Sequence, residues 1–256
     1  MTAPEKPRPE TAAELWARFR GATPARVGLA RSGDALPTDA LLDFQLAHAQ
    51  ARDAIYGRVD FAALAARIGR PTRHVHSAAP DRPTYIRRPD LGRRLDAPSR
   101  ALLAAERGDP PWDAAFIVAD GLSSAAIEDH AAAFLHTALP MAKTYNIAPI
   151  ILAEQARVAL SDEIGALLNA RLAVMLIGER PGLSVRNSLG IYLTFNPRPG
   201  RADSERNCIS NIHADGLSYE SAAQKLAWLM AEARRIQGTG FFLKEAAGEE
   251  SKNLLF

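Results

Sequence analysis

Hydrophobic positions in this chain follow a helical period first and a strand-and-helix alternation later. Between Thr11 and Arg20, residues Ala12, Leu15, Trp16 and Phe19 fall at i, i+3, i+4 and i+7, the face of a short amphipathic helix. A helix this short is marginal in water, so it has to dock, on its own domain or on a partner. Pro37-Thr38-Asp39 reads as a helix start, with Thr38 as N-cap and Asp39 favourable at the positive end. Leu42, Leu46 and Ala49 then form an apolar stripe. A second helix follows Asp60, with Phe61, Leu64, Ala65 and Ile68 on one face and Gly69 as its stop. Residues 70–90 read as loop because Pro71, Pro80, Pro83 and Pro89 interrupt them.

From about residue 114 the texture changes. Ala115-Phe-Ile-Val-Ala119 is a continuous apolar run, the pattern of a strand buried on both faces. Further strands are predicted over about 149–154, 172–177, 190–195 and 208–212. Helices fall between them. One starts at Ser123, with Ile127, Ala131, Phe134, Leu135 and Ala138 inward. Another is capped by Ser161-Asp162-Glu163, with Ile164, Leu167 and Leu168 inward. The last starts at Ser218 and shows Ala222, Leu226, Leu229, Met230, Ala233 and Ile236. This alternation predicts an α/β fold: a Rossmann-like, mainly parallel sheet with helices on both faces, preceded by a small helical N-terminal region. The expected division is a mobile tail and short helix over 1–22, a helical subdomain over 23–95 and an α/β domain over 96–256. The tail is assigned on Pro4, Pro7 and Pro9, with no apolar residue among them to seed a core.

Composition narrows the class further. At 256 residues, 47% hydrophobic and 23% charged, the chain can bury a core without staples. Its single cysteine, Cys208, excludes an intramolecular disulfide and fits a reducing compartment. No signal-peptide pattern and no apolar run of spanning length occurs, so a cytoplasmic location without a membrane anchor is expected. A net charge of +2 with interleaved signs gives no reason to invoke nucleic acid.

In a parallel α/β sheet, ligands bind beyond the carboxyl ends of the strands. Three segments are predicted to converge there: Asp120-Gly121, Gln155 to Leu160, and Gly178-Glu-Arg-Pro-Gly182. The last either holds the Glu179 carboxylate in a fixed place or is a tight turn with a solvated Glu–Arg pair. Cys208 reads as a small buried hydrophobe, or as a small side chain that lets a bulky ligand approach; nothing beside it supplies the base that a nucleophile needs. Arg87, Arg88, Arg93 and Arg94 flank Pro89-Asp90, which is placed to open a helix displaying the last two. They form a solvated basic face or an interface for carboxylates or a phosphate. No G-x-G-x-x-G, no P-loop and no G-x-S-x-G elbow is present, which argues against a stand-alone nucleotide-binding enzyme. There is no self-contained acid–base constellation either, and the chain reads as half of a site.

Four blocks, in order, carry a family resemblance: Arg87-Arg-Pro-Asp-Leu-Gly-Arg-Arg94, Asp120-Gly-Leu-Ser123, Gly178-Glu-Arg-Pro-Gly-Leu183 and Asn207-Cys-Ile-Ser-Asn-Ile-His213. Together they resemble the small subunit of adenosylcobalamin-dependent ethanolamine ammonia-lyase. The resemblance implies a large-subunit partner, a TIM barrel that carries the catalytic side chains, and no catalytic residue in this chain. It implies adenosylcobalamin as cofactor, shared between the subunits and base-on. The absence of Asp-x-His-x-x-Gly, the pattern of base-off cobalamin proteins, agrees with that. It places the cobalamin contacts at Val158, Glu179 and Cys208 and makes 96–256 the cobalamin-contacting domain. It also leaves two locations open, the free cytoplasm or a bacterial microcompartment, with the segment 11–20 as one candidate encapsulation tag.

Overall fold

The computed structural model describes residues 10–243; the Pro-rich tail expected over the first residues lies almost wholly outside them. Its elements run α1 (Ala12–Ala22), α2 (Thr38–Tyr56), α3 (Phe61–Ile68), β1 (Thr72–His76), α4 (Arg82–Arg87), α5 (Ala97–Ala105), β2 (Trp112–Ala119), α6 (Ser124–Ala126), α7 (Ala132–Met141), β3 (Ile150–Glu154), α8 (Leu160–Leu168), β4 (Ala170–Gly178), β5 (Leu189–Phe195), β6 (Asn207–Ile212) and α9 (Tyr219–Ile236). Among the described residues no helix is long and apolar enough to cross a membrane.

The six strands form one sheet in the order β1-β3-β2-β4-β5-β6. Neighbours from β1 to β4 pair in parallel. From β4 to β6 they pair antiparallel. The sheet is therefore mixed, and the expected mainly parallel, Rossmann-like arrangement gives way to a parallel part with an antiparallel edge. Gly178 to Leu189 is a reversing connection too short to carry a crossover helix, so β5 must run back alongside β4.

One sheet face packs under α3, α7 and α9: Phe116 and Val118 of β2 meet Leu64, Phe134, Leu135, Leu226 and Met230. The other face packs under α5 and α8: Ile117 and Met175 meet Leu103, Leu160, Ile164 and Leu168. Helices on both sides explain why β2 and β4 read as continuous apolar runs. Among the described residues the cover thins beyond β4: Thr194 is still buried beneath Arg206, and Gly190 is buried as well. Over β5 and β6 this face carries Tyr192, half-buried, and Cys208 and Ser210, exposed.

Four local expectations change. Residues 70–90 contain a strand and a helix, β1 and α4, not only loop. β1 is an edge strand with only Val75 buried, so it shows no apolar run. Its register with β3, from Thr72 opposite Ile150 to His76 opposite Glu154, ties residues before position 95 into the sheet. Thr38 does not cap α2; Pro37 holds that place and makes no side-chain cap bond. The stripe Leu42, Leu46 and Ala49 is exposed, and α2 is anchored through Ala51 and Ala54 instead. Pro89-Asp90 opens a single 3₁₀ turn over Leu91–Arg93 and not a longer helix.

Elsewhere the local signals hold. Asp60 accepts from the Ala63 amide, and Gly69 closes α3 in the left-handed region. Ser123 accepts from the Ala126 amide where a helix was expected to begin, although a π-turn over Ile127–Ala131 intervenes before α7. Ser218 caps α9 in the same way, through the Ser221 amide.

Candidate functional site

The three segments expected at the carboxyl ends of the parallel strands do meet there. Asp120 directly follows β2 and is almost fully buried. Its Oδ1 accepts from the Ala156 amide at 3.1 Å. Its Oδ2 accepts from Arg82 Nη1 at 3.0 Å. Burial pushes the Asp120 carboxyl up to about 6, against the pull of Arg82. The Leu122 amide donates to Gly178 O at 3.0 Å. Gly121 has φ +58°, and a Cβ there would lie 2.3 Å from Gly178 O, so no side chain fits between the ends of β2 and β4.

The loop after β3 is clamped from the arginine-rich segment. The Tyr85 ring lies between two guanidinium groups, Arg82 at 4.7 Å and Arg157 at 4.3 Å. Tyr85 donates its hydroxyl to Ala156 O at 3.0 Å, and the Arg157 amide donates to Gly92 O at 2.8 Å. Arg87, Arg88, Arg93 and Arg94 point outward. Arg88 holds Asp90 through two hydrogen bonds. Arg93 and Arg94 border an open groove of about 660 Å³ shared with Arg100, Glu163, Arg201 and Asp203, so this surface is mixed in charge and not simply basic.

Val158 sits in the clamped loop, partly buried against the second-face core. Its carbonyl accepts from both the amide and the hydroxyl of Ser161, at 3.1 and 2.8 Å. Ser161 therefore does not cap α8 from outside; it lies within the helix, whose first residue is Leu160.

Glu179 follows β4 directly. Its amide donates to Ser188 O at 2.9 Å. Its Oε2 accepts from Ser188 Oγ at 2.5 Å. The carboxylate is thus held by Ser188 and not by Arg180, which resolves the two readings of the turn in favour of a fixed carboxylate. Oε1 lies over Gly190, 2.9 Å from where a Cβ would stand.

Cys208 is exposed on β6, directly opposite Tyr192 of β5. The antiparallel register thus brings the two side chains side by side on the same sheet face. Desolvation by the surrounding sheet raises the thiol, against a smaller opposing pull from Tyr192 and with a further push from Glu179, which disfavours the thiolate. Burial chiefly, then Cys208, raises the Tyr192 phenol as well. Glu179, through its place over Gly190, thus shares the second face with Tyr192 and Cys208. Val158 lies on the same side of the sheet, in the loop beyond β3.

Sequence reasoning did not single out Ser188, Gly190 or Tyr192. A signal existed: Leu189, Ile191 and Leu193 alternate with Gly190, Tyr192 and Thr194, the period of a strand with unlike faces.

These features define an α/β protein built on a six-stranded mixed sheet, with Glu179, Tyr192 and Cys208 gathered on one face of its antiparallel part. The chain belongs to the small-subunit family of ethanolamine ammonia-lyase: the family model described as Ethanolamine ammonia-lyase light chain (EutC) matches residues 13–244. The ethanolamine ammonia-lyase small subunit of Ralstonia nicotianae is 52% identical over 239 residues, covering 91% of this chain and 88% of its own. That of Pseudomonas putida strain GB-1 is 50% identical, with the same coverage. That of Pseudomonas paraeruginosa is 49% identical over 255 residues, covering 96% of this chain and 93% of its own. Membership makes the chain part of a carbon–nitrogen lyase.

Proposed function

We propose that this chain joins a large subunit and covers one side of adenosylcobalamin with the face of β5 and β6 that carries Tyr192 and Cys208, in an enzyme that converts ethanolamine to acetaldehyde and ammonia. The observation that carries this reading is the juxtaposition of Glu179, Tyr192 and the exposed Cys208 on one face of the antiparallel strands. A flat macrocycle rimmed with primary amides fits such a surface. Tyr192 and Cys208 offer a low floor, Gly190 adds no bulk, and Glu179 presents an acceptor to a rim N–H. Val158 borders the same side and contributes apolar contact. When bound, the cofactor supplies a carbon radical by homolysis of its cobalt–carbon bond. The residues of this chain bind and orient it and keep water from its covered side; none of them acts on ethanolamine. Residues 96–256 carry the cofactor contacts, and the groove beside Arg93 and Arg94 faces the large subunit. The assembly works in the cytoplasm, free or enclosed in a bacterial microcompartment.

Reconstitution with the large subunit tests the reading. Acetaldehyde release should require both chains and adenosylcobalamin. Glu179→Ala should weaken cofactor binding to the complex by about 1–3 kcal/mol, read by titration of the cobalamin absorbance. Unchanged affinity would remove Glu179 from the site. A purely structural subunit would instead give a complex whose thermal stability does not respond to cobalamin.

A further inference from the structure

Glu179 is fixed in a way that goes beyond supplying an acceptor. Ser188 is buried and grips it twice, through its backbone carbonyl and through its hydroxyl. A serine hydroxyl has one proton to donate, and that proton is directed at Glu179 Oε2. Oε1 is left over Gly190, and no described residue donates to it. Only a residue without Cβ permits this placement, since an atom there would stand 2.9 Å from Oε1 and 3.1 Å from Cγ. One oxygen is thus satisfied within the protein. The other lies over Gly190, on the sheet face that carries Tyr192 and Cys208, with no donor among the described residues.

We infer that Ser188 and Gly190 make Glu179 a one-way reader of the ligand rim: it accepts an N–H and rejects a carboxylate. The inference rests on the reading that this face receives a corrin. The rim of that ring carries primary amides, and hydrolysis of one amide gives a monocarboxylic acid of nearly the same shape. At the position facing Oε1 the acid replaces a donor by a like charge. It loses a charge-assisted hydrogen bond and gains repulsion on a partly desolvated surface. Ser188 and Gly190 act through Glu179 and are positioning residues.

The test is equilibrium binding of cyanocobalamin and its separate monocarboxylic acids to the reconstituted two-subunit complex, followed by absorbance. The complex should prefer the amide over at least one of the acids by about 10- to 100-fold. Glu179→Gln should compress that ratio toward one, because a neutral amide can face either rim group. Ser188→Ala should lower the ratio several-fold by releasing Oε2, and Gly190→Ala should do the same by displacing Oε1. Such a change in ratio is not expected from a general loss of folding, which weakens both ligands together. Equal affinity for the amide and all the acids would overturn the inference, as would a ratio that survives Glu179→Gln. If cyanocobalamin itself fails to bind the wild-type complex, the reading of the face as a corrin site fails, and the inference falls with it.

Discussion

Asp120 holds a carboxylate at the buried end of the central strand, with one guanidinium and one backbone amide to hold it. Because its folded pKa is raised to about 6, the native state binds the proton more tightly than the unfolded chain does. The stability this contributes is complete below about pH 4 and is lost as pH rises toward 6. Asp120→Asn removes the proton equilibrium. The difference in unfolding free energy between wild type and variant should therefore shift toward the variant across that window, by at most about 3 kcal/mol, and then level off. Urea unfolding at closely spaced pH values measures it, and a pH-independent difference would show that Arg82 neutralises the charge fully. Asp120 is expected among the segments that converge at the strand ends, and it does lie there. Its part there is to clamp the loop that carries Val158, a role set by burial, which no single position in a sequence displays.

Among the elements, α8 joins the core to the site. Its Asp162 is paired bidentately with Arg206, at 2.6 and 2.8 Å, and both are buried. Arg206 also donates to Thr194 Oγ1 and Arg201 O, so the segment leading into β6 is fastened to the start of α8. Gly165 lies in the middle of the same helix, where alanine would ordinarily be preferred by about 1 kcal/mol. Here a Cβ would meet the Pro197 ring at 2.4 Å. Gly165→Ala should accordingly destabilise the chain, by roughly 1–3 kcal/mol from overpacking. A rise in the urea midpoint would mean that the turn at Pro197 yields easily. The helix itself was legible from Ile164, Leu167 and Leu168. The glycine's purpose was not, because Pro197 reaches it only through the pairing of β4 and β5.

At the scale of the whole molecule, apolar surface is concentrated in the N-terminal helices. Leu42 and Leu46 are 57% and 59% exposed, and Trp16 and Phe19 are exposed on α1. α1 is formed as its capping signal predicts, with Thr11 and Glu14 bonded reciprocally, yet buries no residue. Such surface favours association of the chain when it is alone. Replacing Leu42 and Leu46 by serine should reduce light scattering of the isolated chain and leave its urea midpoint nearly unchanged. A lowered midpoint would show that the two leucines pack within this chain.

The sequence by itself determined the elements whose cause is local. Continuous apolar runs marked β2 and β4, because strands covered on both faces leave no polar position. Asp60, Gly69 and Ser218 announced their helix ends through caps that need only neighbouring residues. The family resemblance also put Val158, Glu179 and Cys208 forward as proposed contacts. Only the tertiary structure decided the direction of β5 and β6, the presence of β1 and the thin cover over the antiparallel part, because each depends on pairing between distant segments. A polar edge strand carries no apolar run, and an exposed cysteine beside a half-buried tyrosine acquires meaning only when an antiparallel register sets Cys208 opposite Tyr192. The grip of Ser188 on Glu179 arises in the same way, since the reversal of the chain after β4 brings the two residues into hydrogen-bonding distance.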